Sequence, residues 1–535
     1  MLSISTYYSL QYLLLLSAAV VFYEIFPLRA RRWVMLLFSY LFFFAVSGKL
    51  VCYLILSTLS IHHIGIWLSD VQAESKAKLA LLGKEAKEEK KALSASYLHK
   101  QRCIMTFAVI LHVGMLLMLK YTPFAVENLN ALIHFTGISY TFRLKKILVP
   151  IGISFYTLQA VAYLFDVYRQ KIEADKNLLR LSLFMGFFPQ IMEGPICRYS
   201  DTAEDLWKAE RIRYDNLIAG GQRILFGFMK KIVLADRLNL LIKDVFSKYD
   251  DYDGFVIALC AICYTIQLYM DFSGTMDVVI GSAQIFGVKL PENFKRPFFS
   301  TTISEFWKRW HVTLGTFFKD YIFFPLSMSK PLKKLTTKAR KKLGNHFGPL
   351  LAGAVALFCV WICNGLWHGA GWNYIFFGMF HFVLILLGSI IEPAAIKVTQ
   401  KLHIKRTSKP YKFFQIIRTT ILVCIGELFF RAEGLTAGFK MFKKIFTNFT
   451  FATLKDGTLF QFGMDKQDYI IIGVSVILIL IISILQERGM HIRESISKRN
   501  IAIQFAIYYA LILFIIIFGA YGGNYVPVDP IYAGF

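Results

Sequence analysis

The chain has 535 residues, 56% of them hydrophobic and 18% charged, with a mean hydropathy of +0.51. A soluble fold of this size lacks the polar side chains to cover so much apolar area, which excludes a water-soluble globular protein and makes the bilayer the solvent. The formal charge of +25 accompanies no nucleic-acid-binding signature, so no nucleic-acid partner is expected.

Apolar runs long enough to cross a hydrocarbon core, roughly 17 to 25 residues each, recur along the whole chain. The first predicted span covers 7–26. No positive charge precedes it, while Arg29, Arg31 and Arg32 follow it, the reverse of a secretory signal, so a retained span with its N-terminus outside is expected. Spans at 33–47 and 50–68 come next. The segment 70–102, with its run KEAKEEKK, reads as a solvated cytoplasmic stretch made helical by Glu and Lys pairs at i,i+4.

Spans at 104–121 and 147–168 lead into a harder region, 178–250. There LSLFMGFFPQIMEGP is broken by Pro189, Gly194 and Pro195, and Lys230, Lys231, Asp236 and Arg237 interrupt an otherwise apolar run. Broken helices at membrane depth must be buried in protein or line a wet cavity. A span at 254–272 precedes an aromatic, mixed-charge stretch over 291–328, which predicts short, tilted or interfacial helices. Spans at 349–366, 373–391, 413–430, 469–486 and 502–521 complete the series, with an outward loop at 432–467.

The expected architecture is a single all-α, polytopic membrane-embedded domain over 1–535. Helices 1–70 precede a core of about 104–392, and helices 410–535 follow it. Cations cluster at 29–32, 76–102, 330–342, 401–412 and 488–499, beside the apolar spans. That positive-inside pattern places the basic loops in the cytoplasm of a plasma-membrane protein, with a secondary attraction to anionic lipid.

The eight cysteines lie in or near apolar spans without histidines at zinc spacing, so no metal is expected. Cys260 and Cys263 share a helix face and read as packing residues. The Walker loop, the GxSxG elbow and HExxH are absent.

Ionisable groups inside a membrane are costly, about 2.5 to 3.5 kcal/mol at a helix centre, so each is a candidate functional group. His368 is the sharpest: Trp367 precedes it and Gly365, Gly369 and Gly371 surround it, and glycine lets a substrate or another backbone approach closely. A neutral imidazole there has the chemistry to take a proton from an attacking hydroxyl and return it to a leaving group. Asn364, in the same NGLWHG block, is a candidate substrate contact together with Trp367.

His311 stands in FWKRWHVTLGTFFKDY beside Lys308, Arg309, Trp310, Lys319 and Asp320. These cations and aromatics suit a phosphate-bearing, adenine-containing thioester donor, and equally an aromatic belt with snorkelling cations. His381 is a candidate supporting residue or a helix-packing residue. Gln159 and Asp166, Glu193 and Arg198, and Asp271 with Ser273 either line a cavity or form a buried hydrogen-bond network. Given cytoplasmic basic loops at 330–342 and 401–412, His368 lies near the outer end of its helix and His311 nearer the cytoplasm.

Four blocks carry a family resemblance: VPIGISFYTLQAVAYLFDVYR, FFPQIMEGPICRY, the long block from YMDFSG to FFKDY containing FWKRWH, and NGLWHGAGWNYIFFGMFH. Together they resemble the bacterial branch of the membrane-bound O-acyltransferase (MBOAT) family, of the alginate O-acetylation type and related to the D-alanyl transfer type. The resemblance implies a ring of about 11–14 transmembrane helices around a central tunnel. It implies acyl transfer with His368 as the catalytic histidine and His311 as the family's second histidine; Trp310, Arg309 and Lys308 are candidate substrate contacts on their own chemistry. It further implies acetyl-CoA as a cytosolic donor substrate with no resident cofactor, an extracytoplasmic polysaccharide acceptor, and a partner transferase of the SGNH type. Two alternatives stay open: D-alanyl transfer from a carrier protein to teichoic acid, and a transporter or flippase without acyl chemistry.

Overall fold

The computed structural model describes residues 6–83, 85–521, 525, 527 and 528. Its described residues form helices and connecting segments without any strand, the arrangement that satisfies every backbone amide inside a bilayer. Eight candidate membrane-crossing helices are present among them. Nine of the eleven predicted spans map onto these eight: those at 33–47 and 50–68 share one candidate, because Leu28–Ser47 and Val51–Leu81 are joined by the single 3₁₀ turn Gly48–Leu50. Those at 7–26 and 147–168 are 16-residue helices, Leu10–Ile25 and Ile153–Tyr168. The protein is therefore an all-α, multi-pass membrane protein.

The chain divides into two compact units, Met1–Gly220 with Ser282–Pro291, and Gly221–Gly281 with Glu292–Phe535. In the first, the Ser9 hydroxyl caps Leu10–Ile25 by accepting from the Tyr12 amide at 3.2 Å. The apolar helix Ile153–Tyr168 is buried along nearly its whole length. It starts at Gly152, whose φ of +77° and whose Cβ position, 2.2 Å from the Ile191 carbonyl oxygen, admit only glycine. The broken stretch around Pro189 is buried in protein: the Phe188 amide donates to the Ser39 hydroxyl at 3.2 Å and the Met192 amide to the Tyr7 hydroxyl at 3.1 Å. Its freed backbone groups are thus satisfied by side chains, as membrane depth requires. The segment 70–102 is helical through Leu81 and again from Lys87, so the helix expected across the run KEAKEEKK covers only its second half.

The second unit contains the other interrupted helix. The chain between Tyr214–Phe228 and Asp236–Ser247 forms a π-helical turn over Met229–Ala235, which presents consecutive lysines to two ion-pair sets. Lys230 meets Asp277 at 2.7 Å, and Lys231 meets Asp271 at 2.7 Å and Asp236 at 3.0 Å. Asp271 and Asp277 both lie on Gly254–Ile285. Residues 291–328 form the predicted short helices, Ile303–Arg309 and Val312–Phe318, then a second π-helical turn at Lys319–Phe323. The outward loop predicted at 432–467 contains a regular helix, Leu435–Thr447.

Candidate active site

The longest helical stretch of the second unit, Lys330–His368, delivers His368 at its last position, and Trp372–Lys401 returns from it. Two glycines set the spacing of this hairpin. A Cβ on Gly365 would lie 2.6 Å from the Tyr374 carbonyl oxygen, and one on Gly378 would lie 2.4 Å from that of Trp361. Of the two purposes open for glycines near His368, Gly365 therefore serves close backbone approach.

His368 is buried, 4% exposed, among aromatic edges. Its ring centroid lies 5.1 Å from Trp367, 5.2 Å from Phe430 and 5.8 Å from Phe377, all at steep interplanar angles, the edge-to-face geometry that aromatic quadrupoles favour. Asn373, which the sequence did not single out, helps hold that wall: its Nδ2 donates to the Phe430 carbonyl at 3.1 Å. Asn364 lies one helical turn before His368 on the same face. It is buried, and its Oδ1 has no hydrogen-bond partner among the described residues, a placement suited to receiving a substrate donor.

His311 reaches the same place from a different element. Its ring packs 5.5 Å from the indole of Trp367 and 4.9 Å from Phe272, so the two candidate histidines flank one tryptophan. His311 precedes Val312–Phe318 in the left-handed backbone region, φ +45° and ψ +52°, which costs a non-glycine residue about 1–2 kcal/mol. Asn293, fully buried and unanticipated from sequence, offsets that cost. Its Oδ1 accepts from the Thr313 amide at 3.1 Å and the Thr313 hydroxyl at 3.0 Å, and lies 3.2 Å from His311 Nδ1. Because that oxygen only accepts, the network assigns the proton of a neutral imidazole to Nδ1 and leaves Nε2 as the basic nitrogen.

His381 lies in the adjoining aromatic layer. It is fully buried, 4.7 Å from Phe377, 4.9 Å from Trp307 and 5.6 Å from Trp361 in a stacked arrangement. Neither ring nitrogen has a hydrogen-bond partner among the described residues. Phe377 thus touches both His368 and His381.

The remaining candidates are dispersed. Trp310 is stacked on Phe306 at 5.4 Å within the unit's apolar core. Arg309 is committed to Glu305 at 2.8 Å and Glu487 at 2.9 Å, a carboxylate that Arg296 also binds. Lys308 is exposed and Asp320 half-buried. Asp271 is the counter-ion of Lys231, the network role of the two readings open for it. Gln159 and Glu193 belong to the first unit, where both are buried.

Sequence reasoning also missed a clamp on the C-terminal segment. Arg237 pairs with Asp468 and donates to the Phe518 carbonyl at 2.6 Å and to Tyr525 at 3.1 Å. Lys231 donates to the Val528 carbonyl, and Asp236 accepts from the Val528 amide, both at 2.8 Å. No candidate metal cluster of His, Cys, Asp and Glu occurs among the described residues.

The protein is a multi-pass helical membrane protein in which two buried histidines pack against one indole. Residues 99–340 match the model of the MBOAT, membrane-bound O-acyltransferase family. A probable alginate O-acetylase from Pseudomonas syringae pv. tomato is 34% identical over 346 residues, covering 64% of this chain and 60% of that one. A peptidoglycan O-acetyltransferase from Helicobacter pylori is 29% identical over 369 residues, 64% of each chain. A teichoic acid D-alanyltransferase from Bacillus subtilis is 29% identical over 290 residues, 53% of this chain and 69% of that one. The chain spans about three-fifths of the length of the alginate-type relatives it matches.

Proposed function

We propose that the protein is a membrane-bound O-acyltransferase that takes an acetyl group from cytosolic acetyl-CoA for O-acetylation of an extracytoplasmic polysaccharide. The observation that carries this reading is the packing of His311 and His368 against the same Trp367 indole, inside a membrane-embedded aromatic wall. The two imidazoles come from separate elements, His368 from the end of a long helix and His311 from the turn before Val312–Phe318, which suits a reaction whose donor is cytosolic and whose acceptor is outside.

In this reading His368 takes the proton of the acceptor hydroxyl as its oxygen attacks the thioester carbonyl carbon. The carbon–sulfur bond then breaks and the proton passes to the departing thiolate, so that ester and thiol are the products. The buried Oδ1 of Asn364 accepts from a neighbouring hydroxyl of the acceptor, not from the attacking one, and His311 Nε2, made basic by the Asn293 bond, orients the donor side. The final acceptor is an alginate-like, cellulose-like or peptidoglycan-like hydroxyl, reached through an extracytoplasmic SGNH-type transferase. The N-terminus lies outside and the basic loops lie in the cytosol.

The test is purified protein with radiolabelled acetyl-CoA. A His368→Ala protein that elutes like wild type loses label transfer and thioester cleavage, whereas wild-type turnover in that variant refutes the assignment. The similarity to teichoic acid D-alanyltransferases favours a second reading, D-alanyl transfer from a carrier-protein thioester, which the same assay with that donor distinguishes. Substrate flux in liposomes lacking any acyl donor would instead indicate a flippase.

A further inference from the structure

The basic stretch before the candidate active-site helix is not a solvated loop. Residues 330–343 are helical, and the chain then reverses at Gly344, whose φ of +78° and ψ of −177° break the helix. The reversal is tight: a Cβ on Gly348 would lie 2.4 Å from the Cα of Arg340 and 2.5 Å from its amide nitrogen. A continuous helix would separate residues eight apart by about 12 Å, so the two segments are folded against each other.

Beside this reversal lies a half-open depression of about 560 Å³ lined by Ser327, Lys333, Thr336, Thr337, Arg340 and Lys341, the three cations being exposed to solvent. The last five fall at i, i+3, i+4, i+7 and i+8, one face of a single helix. Three hydroxyls and three cations line it, and no carboxylate does. No Asp or Glu occurs anywhere between Asp320 and Glu392. The contrast with Arg296 and Arg309, which share the Glu487 carboxylate while Arg309 also pairs with Glu305, is direct. Ser327 adds an independent sign: its Oγ is inaccessible to solvent yet has no hydrogen-bond partner among the described residues.

We propose that this depression is a binding site for a phosphate-bearing ligand. Like charges gathered in a concave site without a counter-ion repel one another, and an anion relieves that cost. Arginine supplies a planar fork for two oxygens and lysines supply point charges, the combination that phosphate oxygens use better than a carboxylate does; the Thr336 and Thr337 hydroxyls donate to the carbonyls of Leu332 and Lys333 at 2.8 and 3.0 Å and only shape the wall. The volume exceeds that of a lone phosphate. It suits the phosphates of a nucleotide-type coenzyme or a phosphorylated lipid headgroup. The inference does not rest on acyl transfer, because the site is defined by charge and shape and its test reads binding.

The test uses the full chain in nanodiscs of zwitterionic lipid, titrated by calorimetry with coenzyme A and with inorganic pyrophosphate, and in parallel native mass spectrometry of retained phosphatidylglycerol. The variant Lys333→Gln/Arg340→Gln/Lys341→Gln is compared with Lys334→Gln/Lys338→Gln/Lys342→Gln, which removes the same charge from outside the lining of the depression. The expected result is at least tenfold weaker binding of one phosphate source in the first variant and under twofold change in the second. Loss confined to coenzyme A and pyrophosphate identifies a soluble ligand, and loss confined to phosphatidylglycerol identifies a lipid headgroup. Equal loss in both triple variants, or no phosphate binding to wild type, overturns the proposal. Should the first triple variant not fold, Ser327→Ala with Lys341→Gln replaces it, and unchanged affinity there overturns the proposal equally. The His368→Ala protein is expected to bind as wild type, which separates this site from the acyl-transfer reading.

Discussion

Replacing Asn293 by alanine tests whether one buried amide holds His311 in place. The side-chain oxygen serves His311 Nδ1 and two donors of Thr313 at 3.0 to 3.2 Å. Each such bond contributes about 0.5–1.5 kcal/mol net, and a buried donor stripped of its acceptor costs about 1–3 kcal/mol. Losing all three together destabilises the local segment by about 2–4 kcal/mol, because the left-handed backbone at His311 then has less to hold it. At about 1.4 kcal/mol per tenfold, local opening becomes about thirty to several hundred times more frequent. Hydrogen exchange of the peptide covering residues 311–316, read by mass spectrometry in detergent micelles, measures this directly. Thr313→Val removes only the hydroxyl bond and is expected to give about a fivefold increase, corresponding to about 1 kcal/mol. Unchanged exchange in Asn293→Ala would refute the argument, and so would an effect no larger than that of Thr313→Val.

Three further outcomes are expected. Gly365→Ala places a methyl group 2.6 Å from the Tyr374 carbonyl oxygen and should lower folded yield and thermal midpoint, whereas Gly353→Ala, which faces open space, should leave both unchanged in a fluorescence-detected gel-filtration melt. Lys231→Met should lower the same thermal midpoint by stranding the carboxylates of Asp271 and Asp236, and Lys231→Met/Asp271→Leu should regain part of the loss, since removing one partner of a buried pair costs more than replacing both. For Asp175, burial alone would raise the carboxyl, but bonds from Arg180, Tyr199 and the Asn177 amide outweigh it and hold the pKa below the ordinary value. Its contribution is therefore complete above the unfolded value of about 4 and is lost as pH falls through the lower folded value, so Arg180→Gln should move the acid-unfolding midpoint upward, and an unmoved midpoint would contradict the ledger of bonds.

The spans were legible because hydropathy is a property of each window and needs no knowledge of partners. The buried charges of 230–237 were legible as interruptions but not as pairs. Only the π-helical turn aims Lys230 at Asp277 and its neighbour at Asp271, and a turn of that kind leaves no compositional mark. The basic run 330–342 looks like any solvated cytoplasmic face, and Gly344, the residue that folds it back, is one glycine among 35.

His311 and His368 were each visible as costly residues in apolar surroundings, yet what places them together was not. Asn293 sits in PENFKR, a composition that reads as an exposed loop, and its burial is created by tertiary packing around Met276 and His311. Trp367 was noted as a neighbour of His368, but its contact with His311 depends on two elements separated by more than fifty residues. Residue types reveal which groups have the required chemistry. Which of them meet depends on backbone contacts that only small residues permit, as at Gly365 and Gly378. The position of the His368 imidazole is accordingly more sensitive to a methyl group added at either glycine than to the loss of an exposed cation such as Lys308.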